Sequence, residues 1–206
     1  MPSSDLIKAL IFDFGGVLSR TEDQQPRQRL AAKLGLSLAA LYDIVFNSDF
    51  ARLSEVGQLS SQERWERMGQ VLGLKTEEEI RAFLNDFFSG DKFDVELGQH
   101  IRRWHRCYKT ALLSNAGDSL AVHVRDRLGL GDAFDEIIIS ALVGLAKPDP
   151  AIFLLALQRL QVAPQEAIFV DDMLPNVQAA AALGMHAIQF TTREALLAEL
   201  GALLGE

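Results

Sequence analysis

Cysteine is almost absent: Cys107 is the single one in 206 residues. No disulfide can form within the chain, and a reducing compartment, the cytoplasm, is the expected setting. Cys107 itself reads as a core or near-core residue. Basic residues are scarce relative to acids, 20 Lys and Arg against 28 Asp and Glu, a net charge of −8. That sign argues against nucleic acid and anionic membranes as main partners. Long apolar runs are also missing. Stretches such as Ala9 to Phe12 fall far short of the roughly 20 residues a spanning helix needs. Met1 to Asp5 lacks the basic start and apolar segment of a secretory leader. A soluble chain is therefore expected, with monomer and homodimer both open. Even the basic cluster Arg102, Arg103, His105, Arg106 and Lys109 reads as a solvated helix face in this acidic setting.

What remains is a composition close to the globular average, 49% hydrophobic and 23% charged, which excludes disorder. The length is roughly 1.4 domains at ~150 residues each, so one core plus an insertion is expected. Five short runs rich in Ile, Val, Leu and Phe stand out: Lys8 to Phe12, Thr110 to Leu113, Glu136 to Ile139, Ala167 to Val170 and His186 to Phe190. Continuous apolar runs of this length suit strands buried on both faces. Helical patterns at about Leu120–Leu128, Pro150–Leu160 and Pro175–Leu183 separate the last four, with Asp149 and Pro150 as cap and first residue of the second. Strand and helix in alternation predict an α/β fold with a doubly wound parallel sheet.

From Leu18 to Lys92 the alternation stops, and four helical segments follow one another without a convincing strand. The clearest is Glu77 to Phe88, with Ile80, Phe83, Leu84, Phe87 and Phe88 on one face. Thr76 with Glu79, and Ser60 with Glu63, fit capping boxes. The expected division is a core of residues 1–17 and 93–206 and a helical insertion of 18–92.

Open α/β sheets bind ligands beyond the carboxyl ends of their strands. The first run ends in Asp13, followed by Phe14, Gly15 and Gly16; the second ends in Ser114 and Asn115. Lys147 follows the third after a loop, and the fourth ends in Asp171 and Asp172. Asp13 suits a nucleophile that forms an aspartyl-phosphate. Asp13, Asp172 and Asp171 suit Mg²⁺, a hard cation that takes oxygen ligands. Lys147 and Ser114 suit the equatorial oxygens of a transferring phosphoryl group. Gly16 lets the backbone approach a ligand closely. Taken singly these residues are ordinary turn, cap and surface positions; their joint order at strand ends is not.

The segments Ile11 to Leu18, Leu112 to Asn115, Lys147 to Phe153 and Phe169 to Asp172 together resemble the four motifs of the haloacid dehalogenase-like (HAD) hydrolase superfamily, across nearly the whole chain. The resemblance implies a five-stranded sheet of order 5-4-1-2-3 and an α-helical C1 cap in the position of the insertion. It also implies a nucleophile at Asp13, phosphate contacts from Ser114 and Lys147, and Mg²⁺ held by Asp13, the Gly15 carbonyl, Asp171 and Asp172. A loop of the cap, Asn47 to Gln58, is expected to reach the site, with Arg52 nominated to contact substrate.

One position departs from the family pattern. Most phosphatases of the superfamily carry a second aspartate where this chain has Gly15. The metal-binding carbonyl survives, but the general acid/base, typically ~10²- to 10⁴-fold in rate, does not. A sugar 1-phosphate, whose anomeric oxygen leaves readily, then suits the site better than a simple alkyl phosphate. The same pattern resembles bacterial α-D-glucose-1-phosphate phosphatases. The expectation is a Mg²⁺-dependent phosphatase of a small phosphorylated metabolite. Two alternatives stay open: a metal-free 2-haloacid dehalogenase, which also lacks the second aspartate, and a non-catalytic relative that binds a phosphometabolite or partner.

Overall fold

The computed structural model describes residues 7–205; the stretch Met1–Asp5 discussed above lies outside them. Seven strands occur in it: β1 (Ala9–Phe12), β2 (Ser19–Thr21), β3 (Asp91–Phe93), β4 (Lys109–Ser114), β5 (Glu136–Ile139), β6 (Ala167–Asp171) and β7 (His186–Gln189). Five form one sheet in the order β5-β4-β1-β6-β7, and every pairing in it is parallel. With these five strands counted along the chain, this is the expected order 5-4-1-2-3 read from the opposite edge.

The apolar runs are continuous because each strand supplies both faces. Side chains alternate across a strand, so Leu10 and Phe12 enter one core cluster while Ala9 and Ile11 enter the other. Ile168 and Val170 divide from Ala167 and Phe169 in the same way. Helices Val95–Trp104 and Arg193–Leu204 cover the first face, and Pro150–Leu160 and Leu174–Ala182 cover the second. Phe12 stacks on Trp104 with ring centroids 6.0 Å apart. Asp149 caps Pro150–Leu160 by accepting from the Ala151 N–H at 2.9 Å.

Between β2 and β3 lie five α-helical stretches, Gln25–Lys33, Leu38–Tyr42, Asp49–Glu55, Ser61–Leu72 and Glu77–Phe87, where four segments were expected. Leu30, Leu41, Val45, Met68, Phe83 and Phe87 bury against one another in a third cluster drawn entirely from this insertion. Both capping boxes form, with each N-cap side chain and its glutamate bonded reciprocally to the other's backbone N–H.

Three expectations need correction. The insertion does contain strand: β2 and β3 pair antiparallel, Ser19 with Phe93 and Thr21 with Asp91, so the chain leaves and re-enters the core through one ribbon. The segment Asn47–Gln58 is not a plain loop, because Ser48 accepts from the Ala51 N–H at 3.3 Å and starts helix Asp49–Glu55. Cys107 is exposed; it sits in the turn after helix Val95–Trp104, its N–H donating to the Trp104 carbonyl at 2.9 Å, and points away from the core. Among the described residues no single helix is long and apolar enough to cross a membrane.

Candidate active site

β1 places Asp13 at its carboxyl end, fastened by an N–H donated to the Val170 carbonyl of β6 at 2.9 Å. Its carboxylate accepts from the Phe14 N–H at 2.7 Å and lies 2.9 Å from the Lys147 ammonium. Lys147 also donates to Asp171 Oδ2 at 2.6 Å. Asp13 is 7% exposed and Lys147 5%, so one ammonium bridges two carboxylates away from water. Burial pushes Asp13 up to about 6; Lys147 pulls it down and Asp171 pushes it further up.

Lys147 is held in place by Asn115. The Asn115 amide donates to the Lys147 carbonyl at 2.7 Å, and its oxygen accepts from the Lys147 N–H at 2.8 Å. Both ends of the Asn115 side chain are thus bonded to the Lys147 backbone, and the residue also lines the cavity between core and insertion. Ser114, at the end of β4, is 4% exposed and forms part of the cavity floor.

Asp171 is fully buried. Besides Lys147, it accepts from the Met173 N–H at 2.8 Å and from the Asn176 amide at 3.1 and 3.0 Å. Asn176 was not singled out in the sequence. Asp172 is half-buried, and burial and then Asp171 push its carboxyl up from the usual carboxylate range. Ligand atoms of Asp13, Asp171 and Asp172 all lie within 4.8 Å of one another. Three carboxylates against one ammonium leave two negative charges, the complement of a divalent cation. An all-oxygen donor set is what Mg²⁺ takes, so the residues fit the ion. Asp171 is the most heavily hydrogen-bonded of the three.

Gly16 explains how Asp172 comes so close. Its φ is +76°, and a Cβ there would stand 2.2 Å from the Asp172 carboxyl carbon. At Gly15 a Cβ would meet nothing within 4 Å.

Above this floor a cavity of about 830 Å³ opens between core and insertion. Phe14, Gly15, Gly16 and Ser114 line it below; Glu55, Arg64, Trp65 and Phe88 line it from the insertion. Asp13, Lys147, Asp171 and Asp172 do not themselves line it, although the chain neighbours Phe14, Gly15 and Gly16 of Asp13 do. The insertion closes down through Ser61, whose N–H donates to Asp118 at 3.2 Å and whose hydroxyl meets that of Ser119 at 3.2 Å. Arg52 stands apart from the cavity. Its side chain is 64% exposed and pairs with Asp49 and the Asn47 carbonyl, so the insertion presents Arg64 where Arg52 was nominated.

The D-ribitol-5-phosphate phosphatase of Bacteroides thetaiotaomicron is 29% identical over 193 residues, covering 89% of this chain and 92% of that protein. The sesquiterpene phosphatase of Aspergillus oryzae is 29% identical over 199 residues, covering 96% and 97%. A 72-residue segment is 51% identical to the mouse acyl-CoA dehydrogenase family member 10, spanning 35% of this chain but 7% of that protein. Among solved structures, a HAD family enzyme from Bacteroides thetaiotaomicron in complex with magnesium and inorganic phosphate superposes with a TM-score of 0.75 at 22% identity, covering 92% of this chain and 98% of that one. The model of the haloacid dehalogenase-like hydrolases matches residues 7–184. With the sheet and the family match in agreement, the chain belongs to the haloacid dehalogenase-like hydrolase family.

Proposed function

We propose that the protein is a Mg²⁺-dependent phosphomonoester hydrolase that works through an aspartyl-phosphate on Asp13, with a sugar or polyol as the leaving group. The observation that carries this reading is the Lys147 ammonium between Asp13 and Asp171, at 2.9 and 2.6 Å, with Asp172 beside them. Two further carboxylates next to a carboxylate nucleophile are hard to explain without a cation, which disfavours the metal-free dehalogenase reading. The named activities of the relatives support a phosphatase.

In the reaction, an Asp13 carboxylate oxygen attacks phosphorus, a P–O bond forms and the ester P–O bond breaks, the leaving oxygen taking the electron pair. Lys147 and the Ser114 hydroxyl bind the equatorial oxygens, and Asn115 keeps Lys147 on station. Water then attacks the phosphorus of the aspartyl-phosphate, returning the Asp13 carboxylate and releasing inorganic phosphate. Asp13, Asp171, Asp172 and the Gly15 carbonyl would hold Mg²⁺, which when bound would neutralise charge on the phosphoryl group. Asp171 orients Lys147 in this assignment. Because Gly15 offers no acid, the best leaving groups are those of low basicity, which favours an anomeric phosphate as in the α-D-glucose-1-phosphate phosphatases. The insertion of residues 18–92 acts as the cap that admits substrate, and 1–17 with 93–206 as the catalytic core.

The test is hydrolysis of p-nitrophenyl phosphate, whose leaving group needs no proton. Activity that requires Mg²⁺ and disappears in Asp13→Asn is expected. Activity that survives Asp13→Asn, or halide release from haloacetates without metal, overturns the reading.

A further inference from the structure

Three arginines line the cavity on the side of the insertion, and two of them are neutralised. Arg27 donates to both oxygens of Asp91 at 2.6 and 2.8 Å, and Arg20 to Asp94 at 2.7 Å. Arg64 is different. It is 6% exposed, yet among the described residues it forms no ion pair within 4.0 Å and a single hydrogen bond, to the Val45 carbonyl at 2.8 Å. Its Nε is buried without a partner, and its guanidinium lies 4.4 Å from the centre of the Trp65 ring. Glu55 lines the same cavity and likewise has neither hydrogen bond nor ion pair among the described residues. Arg64 and, less strongly, Arg52 attract Glu55 without forming an ion pair with it.

An unpaired buried charge such as Arg64 is costly unless something else completes it, and the half-buried Glu55 beside it also lacks a hydrogen-bonded partner. The missing partner must both donate and accept. A hydroxyl does both, whereas an apolar chain satisfies neither group and a second anionic group meets repulsion from Glu55. Trp65 and Phe88, in the same wall, offer flat apolar faces to the C–H side of a ring or chain.

We propose that Glu55 and Arg64 form the leaving-group subsite and select a polyhydroxylated ester, Glu55 accepting from one hydroxyl and Arg64 donating to another. This rests on the phosphatase reading. It distinguishes between the two leaving groups named for the relatives, a polyol and a sesquiterpene, in favour of the first.

The test compares kcat/KM for D-ribitol 5-phosphate, α-D-glucose 1-phosphate, farnesyl phosphate and p-nitrophenyl phosphate in the full-length protein with Mg²⁺. The wild type is expected to prefer a polyol or sugar ester to farnesyl phosphate. Glu55→Gln and Arg64→Met are each expected to lower the ratio of kcat/KM for the best such ester to that for p-nitrophenyl phosphate at least tenfold, mainly through KM. Wild-type preference for farnesyl phosphate, or ratios unchanged in the variants, overturns the subsite. If Arg64→Met does not fold, Glu55→Gln, which removes a charge and no volume, decides alone. If the wild type hydrolyses none of the four esters, the phosphatase reading falls, and calorimetry with ribitol 5-phosphate decides the subsite. At least tenfold weaker binding to Glu55→Gln sustains it; equal affinity or no binding to either form overturns it.

Discussion

The Asn176 amide sits within hydrogen-bond reach of both oxygens of Asp171, at 3.1 and 3.0 Å, and so holds from behind the carboxylate that steers Lys147. Hydrogen bonds to a charged group contribute ~1.5–3 kcal/mol. Asn176→Ala is expected to lower kcat roughly 10- to 100-fold at that scale, with inorganic phosphate inhibiting more weakly and KM for Mg²⁺ little changed. Steady-state kinetics on a variant with native circular dichroism checks this; an unchanged kcat removes Asn176 from the positioning chain.

The adjacent glycines at the floor differ in what they tolerate. Gly15 has open space around a Cβ and no positive φ, so Gly15→Asp is expected to fold and to supply the absent acid. Turnover of alkyl phosphates is expected to rise, by up to the ~10²- to 10⁴-fold that such a group provides, and more than turnover of p-nitrophenyl phosphate. Equal or absent gains show that proton supply does not limit the site. Gly16→Ala, by contrast, meets the Asp172 carboxyl at 2.2 Å and a φ of +76°. It is expected to cost ~1–2 kcal/mol in backbone strain alone and to weaken Mg²⁺ binding measured by calorimetry.

The site also sets a pH dependence. Burial raises Asp13 to about 6, and Asp172 is raised too, by burial and then by Asp171. A carboxyl raised on folding stabilises the fold fully only below its unfolded value and loses that contribution as pH rises through the folded one. For Asp13 the loss runs from about 4 to about 6. A cation that needs both carboxylates ionised reverses it. The rise in Tm caused by Mg²⁺ is therefore expected to be several degrees larger at pH 7.5 than at pH 5. An increment independent of pH contradicts the assignment of Asp13 and Asp172 as ligands.

Asp94 works in the opposite sense. Burial raises it, but the Leu97 N–H at 2.9 Å and the guanidinium groups of Arg20 and Arg193, at 2.7 and 2.8 Å, outweigh that and hold it below the usual range. Its contribution is present above the unfolded value and lost as pH falls through the folded one. Asp94→Asn takes one charged partner from Arg20 and from Arg193, which keep the Val17 carbonyl and Glu96 respectively, and is expected to destabilise by ~1.5–3 kcal/mol, the scale of hydrogen bonds to a charged group. Urea unfolding at pH 7 measures it, and the difference from wild type should shrink in acid.

The sheet was legible because strands covered on both faces write themselves as unbroken apolar runs, and Asp13, Ser114 and Asp171–Asp172 end three of those runs. The ribbon was not. Ser19-Arg20-Thr21 and Asp91-Lys92-Phe93 pair through their backbones and carry no alternation to reveal it. Helix Asp49–Glu55 is short and depends on Ser48 for its start. Asn176 and Arg64 look in sequence like any amide and any solvated cation on a helix. Only the fold shows that one grips Asp171 and the other is buried in the cavity wall.

The central place of β1 carries a cost during synthesis. Ala9 pairs with Lys109 on one side and Ala167 on the other, 100 and 158 residues later. Among the described strands β1 thus waits longest for its partners, its wholly apolar Ala-Leu-Ile-Phe run unpaired meanwhile. The helices between residues 25 and 87, whose cluster is closed among near neighbours, can collapse on their own within that interval. Local contacts form before distant ones, so the helical insertion is expected to assemble before the central sheet closes around β1.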